Sequence, residues 1–237
     1  MTMPSVRKIF RADPGTVFWD IDLDSADLRI VTWESDCAWM KEHFKNGRKP
    51  YVEVMKEYYK DPTLTKKSDK YPLFKSLCHG TNYLGKAPGM APKLGLLVSE
   101  VERIQKWYFG MCPEIAAWQK KLKNQIDRTM TVSNVWGYSH HFLDRKTENT
   151  YNEAVAWIPQ SSVGILINHA MVNIDNNLPL VHLLMQVHDS LNGQYPINHP
   201  ECKEQIVEQS LVPLPYKEPL IIPVGLRTSS VSWGDCQ

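Results

Sequence analysis

The chain has 237 residues, 43% of them hydrophobic, enough to bury a core of ordinary size, and 27 Lys and Arg against 26 Asp and Glu leave a formal charge of +1. No apolar run reaches the roughly 18 residues of a membrane span and the N-terminus has no signal-peptide pattern, so no membrane-spanning helix is expected and the cytoplasm is the expected location. Cys37, Cys78, Cys112, Cys202 and Cys236 have no paired spacing, and this odd, scattered set argues against a disulfide framework and a zinc site and for a reducing compartment.

In chain order, the first element is a strand over residues 16–24. Phe18, Asp20 and Asp22 share one face, and Val17, Trp19, Ile21 and Leu23 the other. The period then becomes helical, with Ser25 as the expected N-cap and Asp27 in the first turn, where a negative charge suits the helix dipole. Helices are expected near 25–34, 36–45 and 50–60, then a loop over 61–65. A further helix over 68–84 carries Lys75, His79 and Tyr83 at i, i+4 and i+8, hence on one face. A solvated stripe accounts for that spacing as well as a phosphate-and-ring surface does. Gly80 costs this helix up to about 1 kcal/mol against Ala, so outside support or a close approach is expected there.

A Gly/Pro stretch over 85–92 is expected to break the chain. Amphipathic helices follow near 97–109 and 114–129, the second opened by Pro113, and then a hairpin about Gly137. A long helix is expected near 160–176. The apolar run Leu180–Met185 leads into Gln186-Val187-His188-Asp189-Ser190, and Leu191–Tyr195 follows, which reads as strand, acidic turn, strand. A helix near 199–210 and a strand over 220–224 complete the series.

An ordinary polar turn accounts for His188-Asp189 as well as a functional one. Two carboxylates at strand ends, Asp22 and Asp189, are nevertheless the minimum that two Mg²⁺ ions need, since Mg²⁺ takes a few carboxylates plus substrate phosphate oxygens. Most of the eight Trp are read as packing rather than base stacking. The near-zero total charge excludes no nucleic-acid role, because Lys and Arg cluster over 41–48, 60–75 and 120–128.

The order of these elements resembles the three polymerase motifs of the A-family DNA polymerases, the group of bacterial DNA polymerase I and many phage replicases. Asp22-Leu23-Asp24-Ser25-Ala26-Asp27-Leu28-Arg29 is similar to the first motif, an Asp followed by Ser-Gln-x-Glu-x-Arg. Lys75-Ser76-Leu77-Cys78-His79-Gly80-Thr81-Asn82-Tyr83 resembles the mobile fingers helix in its phage-like form, and Gln186-Val187-His188-Asp189 the third motif. Residues 7–15, 158–162 and 224–234 resemble the lead-in, the start of a long palm helix and the C-terminal end, so the likeness spans almost the whole chain. Each motif alone is degenerate; their order is specific.

The resemblance implies an α+β fold: a polymerase palm with an antiparallel sheet at about 1–34 and 131–237, helical fingers at about 35–130, and no thumb or exonuclease domain. It implies a template-directed DNA polymerase that joins dNTPs to a primer 3′-OH, one piece of a split or truncated enzyme. Asp22 and Asp189 would be catalytic and would bind two Mg²⁺ ions with the Leu23 carbonyl. Lys75, His79, Tyr83 and Asp27 would bind the nucleotide, with Asp27 at the sugar gate. His188 and Gln160 would meet the primer-template. The implied partners are primer-template DNA, dNTPs and another polypeptide that supplies a thumb and an exonuclease.

Several positions depart from the pattern. Asp27 stands for the usual Glu, Ser190 for an acid, Tyr71 for an Arg and Tyr138 for a basic residue. Two alternatives stay open at this level. One is a single-subunit RNA polymerase-like enzyme, which an acid at 27 disfavours. The other is a catalytically silent DNA-binding assembly subunit, which retention of Asp22 and Asp189 disfavours.

Overall fold

The computed structural model describes residues 6–236. In chain order they form β1 (Thr16–Leu23), α1 (Ala26–Ser35), α2 (Ala38–Lys45), α3 (Pro50–Tyr59), α4 (Lys70–Asn82), α5 (Ala87–Leu94), α6 (Val98–Met111) and α7 (Pro113–Thr129). There follow β2 (Thr131–Ser133), β3 (Ser139–His141), α8 (Glu148–Asn177), β4 (His182–Val187), β5 (Ser190–Pro196), α9 (Cys202–Ser210), β6 (Pro213–Leu214), β7 (Leu220–Ile221) and β8 (Val224–Ser229). No helix of the described residues is long and apolar enough to cross a membrane. The chain divides into two compact units, residues 1–26 with 160–237 and residues 27–159.

The first unit is built on a four-stranded antiparallel sheet in the order β4-β5-β1-β8. β1 lies between β5 and β8, and Phe18, Trp19, Asp20 and Ile21 are all buried, so both faces of the sheet are covered along this stretch. Gly193 lies directly opposite Trp19, and a Cβ there would fall 2.5 Å from the indole ring; only glycine fits. The part of α8 within this unit buries Val163, Leu166, Ile167, Ala170 and Ile174, the three-and-four spacing of an amphipathic face. The expected last strand is divided. Pro223, which has no N–H for a ladder, separates β7, paired with β6, from β8, the strand that joins the main sheet.

The second unit is helical, with the β2–β3 hairpin. Its core joins Leu28, Val31, Met40, Phe44, Val54, Met55, Phe74, Leu77, Tyr108, Ile115, Trp118 and Ile126. Trp107 and Trp157 pack against that core as partly buried side chains. The hairpin turn is held by Asn134, whose Oδ1 accepts from the N–H groups of Trp136 and Tyr138 at 3.1 and 3.2 Å, and Gly137 supplies φ +84°.

Three local expectations are corrected. The Gly/Pro stretch folds into α5, because Pro88 sits in its first turn, where the missing N–H costs nothing, and Gly95 ends it at φ +66°. α8 begins twelve residues earlier than expected, at Glu148, and runs through Pro159, the residue that suggested a start. Ser25 is not an N-cap: it lies at φ +57°, and its hydroxyl donates to Asp24 Oδ1 at 3.3 Å.

The units divide the charge unequally. The sheet unit has 6 Lys and Arg against 11 Asp and Glu, net −5, and the helical unit has 21 against 15, net +6.

Candidate active site

In the sheet unit, β4 and β5 are joined by a two-residue turn, His188-Asp189, closed by the Val187–Ser190 pair. His188 takes the left-handed φ of +55°, a sign that tight hairpins favour at this position. The Ser190 hydroxyl donates to Val187 O at 2.8 Å and braces the turn. Antiparallel pairing of β1 with β5 sets Ser190 directly opposite Asp22, and the Leu23 N–H donates to Asp189 O at 3.3 Å. Asp22 and Asp189 therefore meet at one end of the sheet. Burial pushes the Asp22 carboxyl above its ordinary value of 3.8, and the Asp189 charge pushes it further; Arg227 opposes the shift, and Asp20 and Asp24 add to it. A carboxylate raised by a neighbouring carboxylate is an electrostatic setting that a divalent cation relieves. His188 is exposed at the turn, and Gln160 is exposed on α8 one residue past Pro159.

Sequence reasoning assigned no role to Asp20. It lies two residues before Asp22 on the same face, a spacing that could have drawn attention to it. Its carboxylate is buried and takes the Arg227 guanidinium at 2.6 Å and the Asn192 amide; both partners stand directly opposite it in the register.

In the helical unit, α4 presents Lys75 and His79, and Tyr83 follows as its C-cap. Lys75 is exposed, without an ion-pair partner among the described residues. The His79 and Tyr83 rings meet edge to face at 4.7 Å. Burial lowers the His79 pKa, opposed by Asp27, while Lys75 lowers it further. Burial raises the Tyr83 phenol strongly and the facing Asp27 carboxylate raises it again, although the hydroxyl makes no hydrogen bond of ordinary length. Asp27, His79 and Tyr83 thus form one electrostatic group. Lys70 is directed elsewhere, 4.1 Å over the Tyr59 ring.

The end of α4 is fixed by residues that periodicity did not single out. Gln119, buried on α7, donates through Nε2 to the carbonyls of Thr81 and Asn82, both at 2.9 Å. Tyr108 Oη donates to Asn82 Oδ1 at 2.9 Å, and Asn82 Nδ2 donates to Tyr51 Oη at 3.3 Å. Gly80 has the expected close approach: a Cβ would fall 2.6 Å from Met90 Cε of α5. Gly85 is tighter, since a Cβ there would lie 2.7 Å from Gly80 O.

Residues 2–233 match the family model described as DNA polymerase family A. The chain belongs to this family. Among curated relatives, the thermostable DNA polymerase I of Thermus filiformis is 26% identical over 238 residues, 93% of this chain and 28% of that protein. The DNA polymerase of Mycobacterium phage D29 is 23% identical over 192 residues, 81% of this chain and 31% of that protein. The chain therefore spans less than a third of the length of these relatives. The fold is that of the POL domain of Pol1 from M. smegmatis, solved with DNA primer-template and dNTP: the TM-score is 0.86 at 21% identity, covering 96% of this chain and 42% of that one. The mixed helical and antiparallel-sheet architecture is thus a polymerase domain fold.

Proposed function

We propose that this chain is the palm-and-fingers portion of a template-directed DNA polymerase, with the palm at about 1–34 and 131–237 and the fingers at about 35–130, which fall inside the helical unit. The observation that carries the reading is the β1–β5 register, which sets Asp22 beside Asp189. Among the described residues no group of three or more His, Cys, Asp and Glu is arranged to hold a metal; the donors in this reading are the Asp22 and Asp189 carboxylates and the Leu23 carbonyl. That donor set fits Mg²⁺, which usually completes its shell with water and substrate phosphate oxygens. Two Mg²⁺ ions held there would neutralise phosphate charge and favour the attacking primer oxygen.

The protein's own residues then position and neutralise. Lys75, unpaired and exposed, suits a triphosphate as a compact point charge. His79 and Tyr83 flank base and sugar, and Asp27, facing Tyr83, acts at the 2′-carbon as the sugar gate. His188 and Gln160 contact the primer terminus and the template–primer duplex. The reaction is an in-line attack of the primer 3′-OH on the α-phosphate with pyrophosphate leaving, driven mainly by orientation and charge stabilisation.

Primer extension with dNTPs and with rNTPs is the test. Asp22→Ala and Asp189→Ala are each expected to reduce incorporation by at least about a thousandfold while the circular dichroism spectrum is unchanged. Extension by either variant at more than about a few per cent of wild type would defeat the assignment.

A further inference from the structure

Asp20 is the acid of β1 that this two-carboxylate site leaves unused. It shares a face with Asp22, so a free carboxylate at 20 would offer the site a third acid. The fold withdraws it. Asp20 is 2% exposed, Oδ2 receives Arg227 at 2.6 Å, and Oδ1 receives the Asn192 amide. The pairing is built into the sheet, because Asn192 on β5 and Arg227 on β8 lie directly opposite Asp20 on the two flanking strands. The Arg227 side chain is 44% exposed, so the pair opens to solvent at its cationic end.

Resting on the metal-site reading above, we propose that Arg227 is a positioning residue that holds Asp20 out of the metal site, so that Asp20 does not join Asp22 and Asp189 as a third carboxylate ligand. The consequence is selectivity for the ion. Mg²⁺ demands a small octahedral shell and keeps several waters, whereas Ca²⁺ accepts six to eight oxygens. A third carboxylate crowds the first and suits the second.

The test uses the full chain without DNA or nucleotide. Mn²⁺ binding is followed by electron paramagnetic resonance, and Mg²⁺ and Ca²⁺ by displacement of Mn²⁺. Arg227→Gln is expected to tighten Ca²⁺ binding about tenfold and Mg²⁺ binding less than about threefold, the scale of one charge-assisted contact. In the double variant Asp20→Asn/Arg227→Gln both affinities return to within about twofold of wild type, since the freed acid is gone. A Ca²⁺ gain that persists in the double variant makes Arg227 only a through-space charge and overturns the proposal. Unchanged affinities in Arg227→Gln overturn it also, leaving the pair a brace of the sheet. If Arg227→Gln does not fold, Arg227→Lys, which keeps the charge but loses the fork, is expected to give a smaller Ca²⁺ gain of about threefold, and no gain counts against the proposal. Asp22→Ala separates the two readings. If it leaves Mn²⁺ binding unchanged, the metal-site reading itself fails; if it weakens Mn²⁺ binding while Arg227→Gln does nothing, only the role of Arg227 fails.

Discussion

The two units handle charge in opposite ways. The sheet unit carries a net −5 and gathers Asp20, Asp22, Asp24 and Asp189 near one end of its sheet, whereas the helical unit carries +6 and leaves Lys75 exposed and unpaired among the described residues. The near-zero total is therefore a cancellation between regions, and it says little about what either one binds. An acid-rich sheet end suits cations; a helix face with a free ammonium suits phosphate. They also differ in how their groups are brought together. The α4 residues meet because a helix repeats every 3.6 residues, and the acids meet because distant strands pair in register.

The contrast breaks most visibly at Lys75. If the helical unit neutralises triphosphate, Lys75→Ala should lower kcat/KM for dNTP by about 10–100-fold, the worth of a charge-assisted contact, and Lys75→Arg should recover part of it. Steady-state primer extension measures both, and a change below about threefold would mean that Lys75 is merely solvated. The same assay sharpens the role of the acid within this basic unit. Asp27→Glu is expected to raise the dNTP over rNTP preference several-fold, about 1 kcal/mol, and Asp27→Ala to lower it. An unchanged ratio in both variants removes Asp27 from the gate.

Gln119 tests whether α4 depends on its buried support. Gln119→Leu leaves the Thr81 and Asn82 carbonyls without their donor and should cost about 1–3 kcal/mol of stability in denaturant melts. Wild-type stability would show that water replaces the amide.

The smallest expected effect comes from the acidic end. The folded-state pKa of Asp22 is raised, so the folded chain holds that proton more tightly than the unfolded chain, and stability falls as pH rises through the folded value. Asp22→Asn removes the repulsion and should raise the melting temperature of the metal-free protein by about 1–2 °C at neutral pH. The gain should vanish below the ordinary carboxylate value of 3.8, where the acid is protonated in both states. A loss of stability at neutral pH would show that Asp22 is not strained by its neighbours.

The sequence by itself determined what is local. The apolar alternation of Thr16–Leu23 gives β1, Pro113 opens α7, and the i, i+4, i+8 spacing of Lys75, His79 and Tyr83 places them on one face, all readable over a few turns of chain. Even local signals misled where tertiary packing outweighed propensity. Pro159 reads as a helix start, yet α8 runs through it with Val155 and Ile158 buried, and α5 forms in a Gly/Pro stretch where Met90 fills the space left by Gly80 and Gly85. Only the tertiary structure decided the rest. That Asp22 stands beside Asp189 depends on β1 pairing with β5, and the ion pair that withdraws Asp20 links residues 207 positions apart. No short-range pattern encodes such contacts, because strand register is chosen by what the whole sheet can bury, and a slip of β1 by one residue would turn Asp20 and Asp22 to the opposite face.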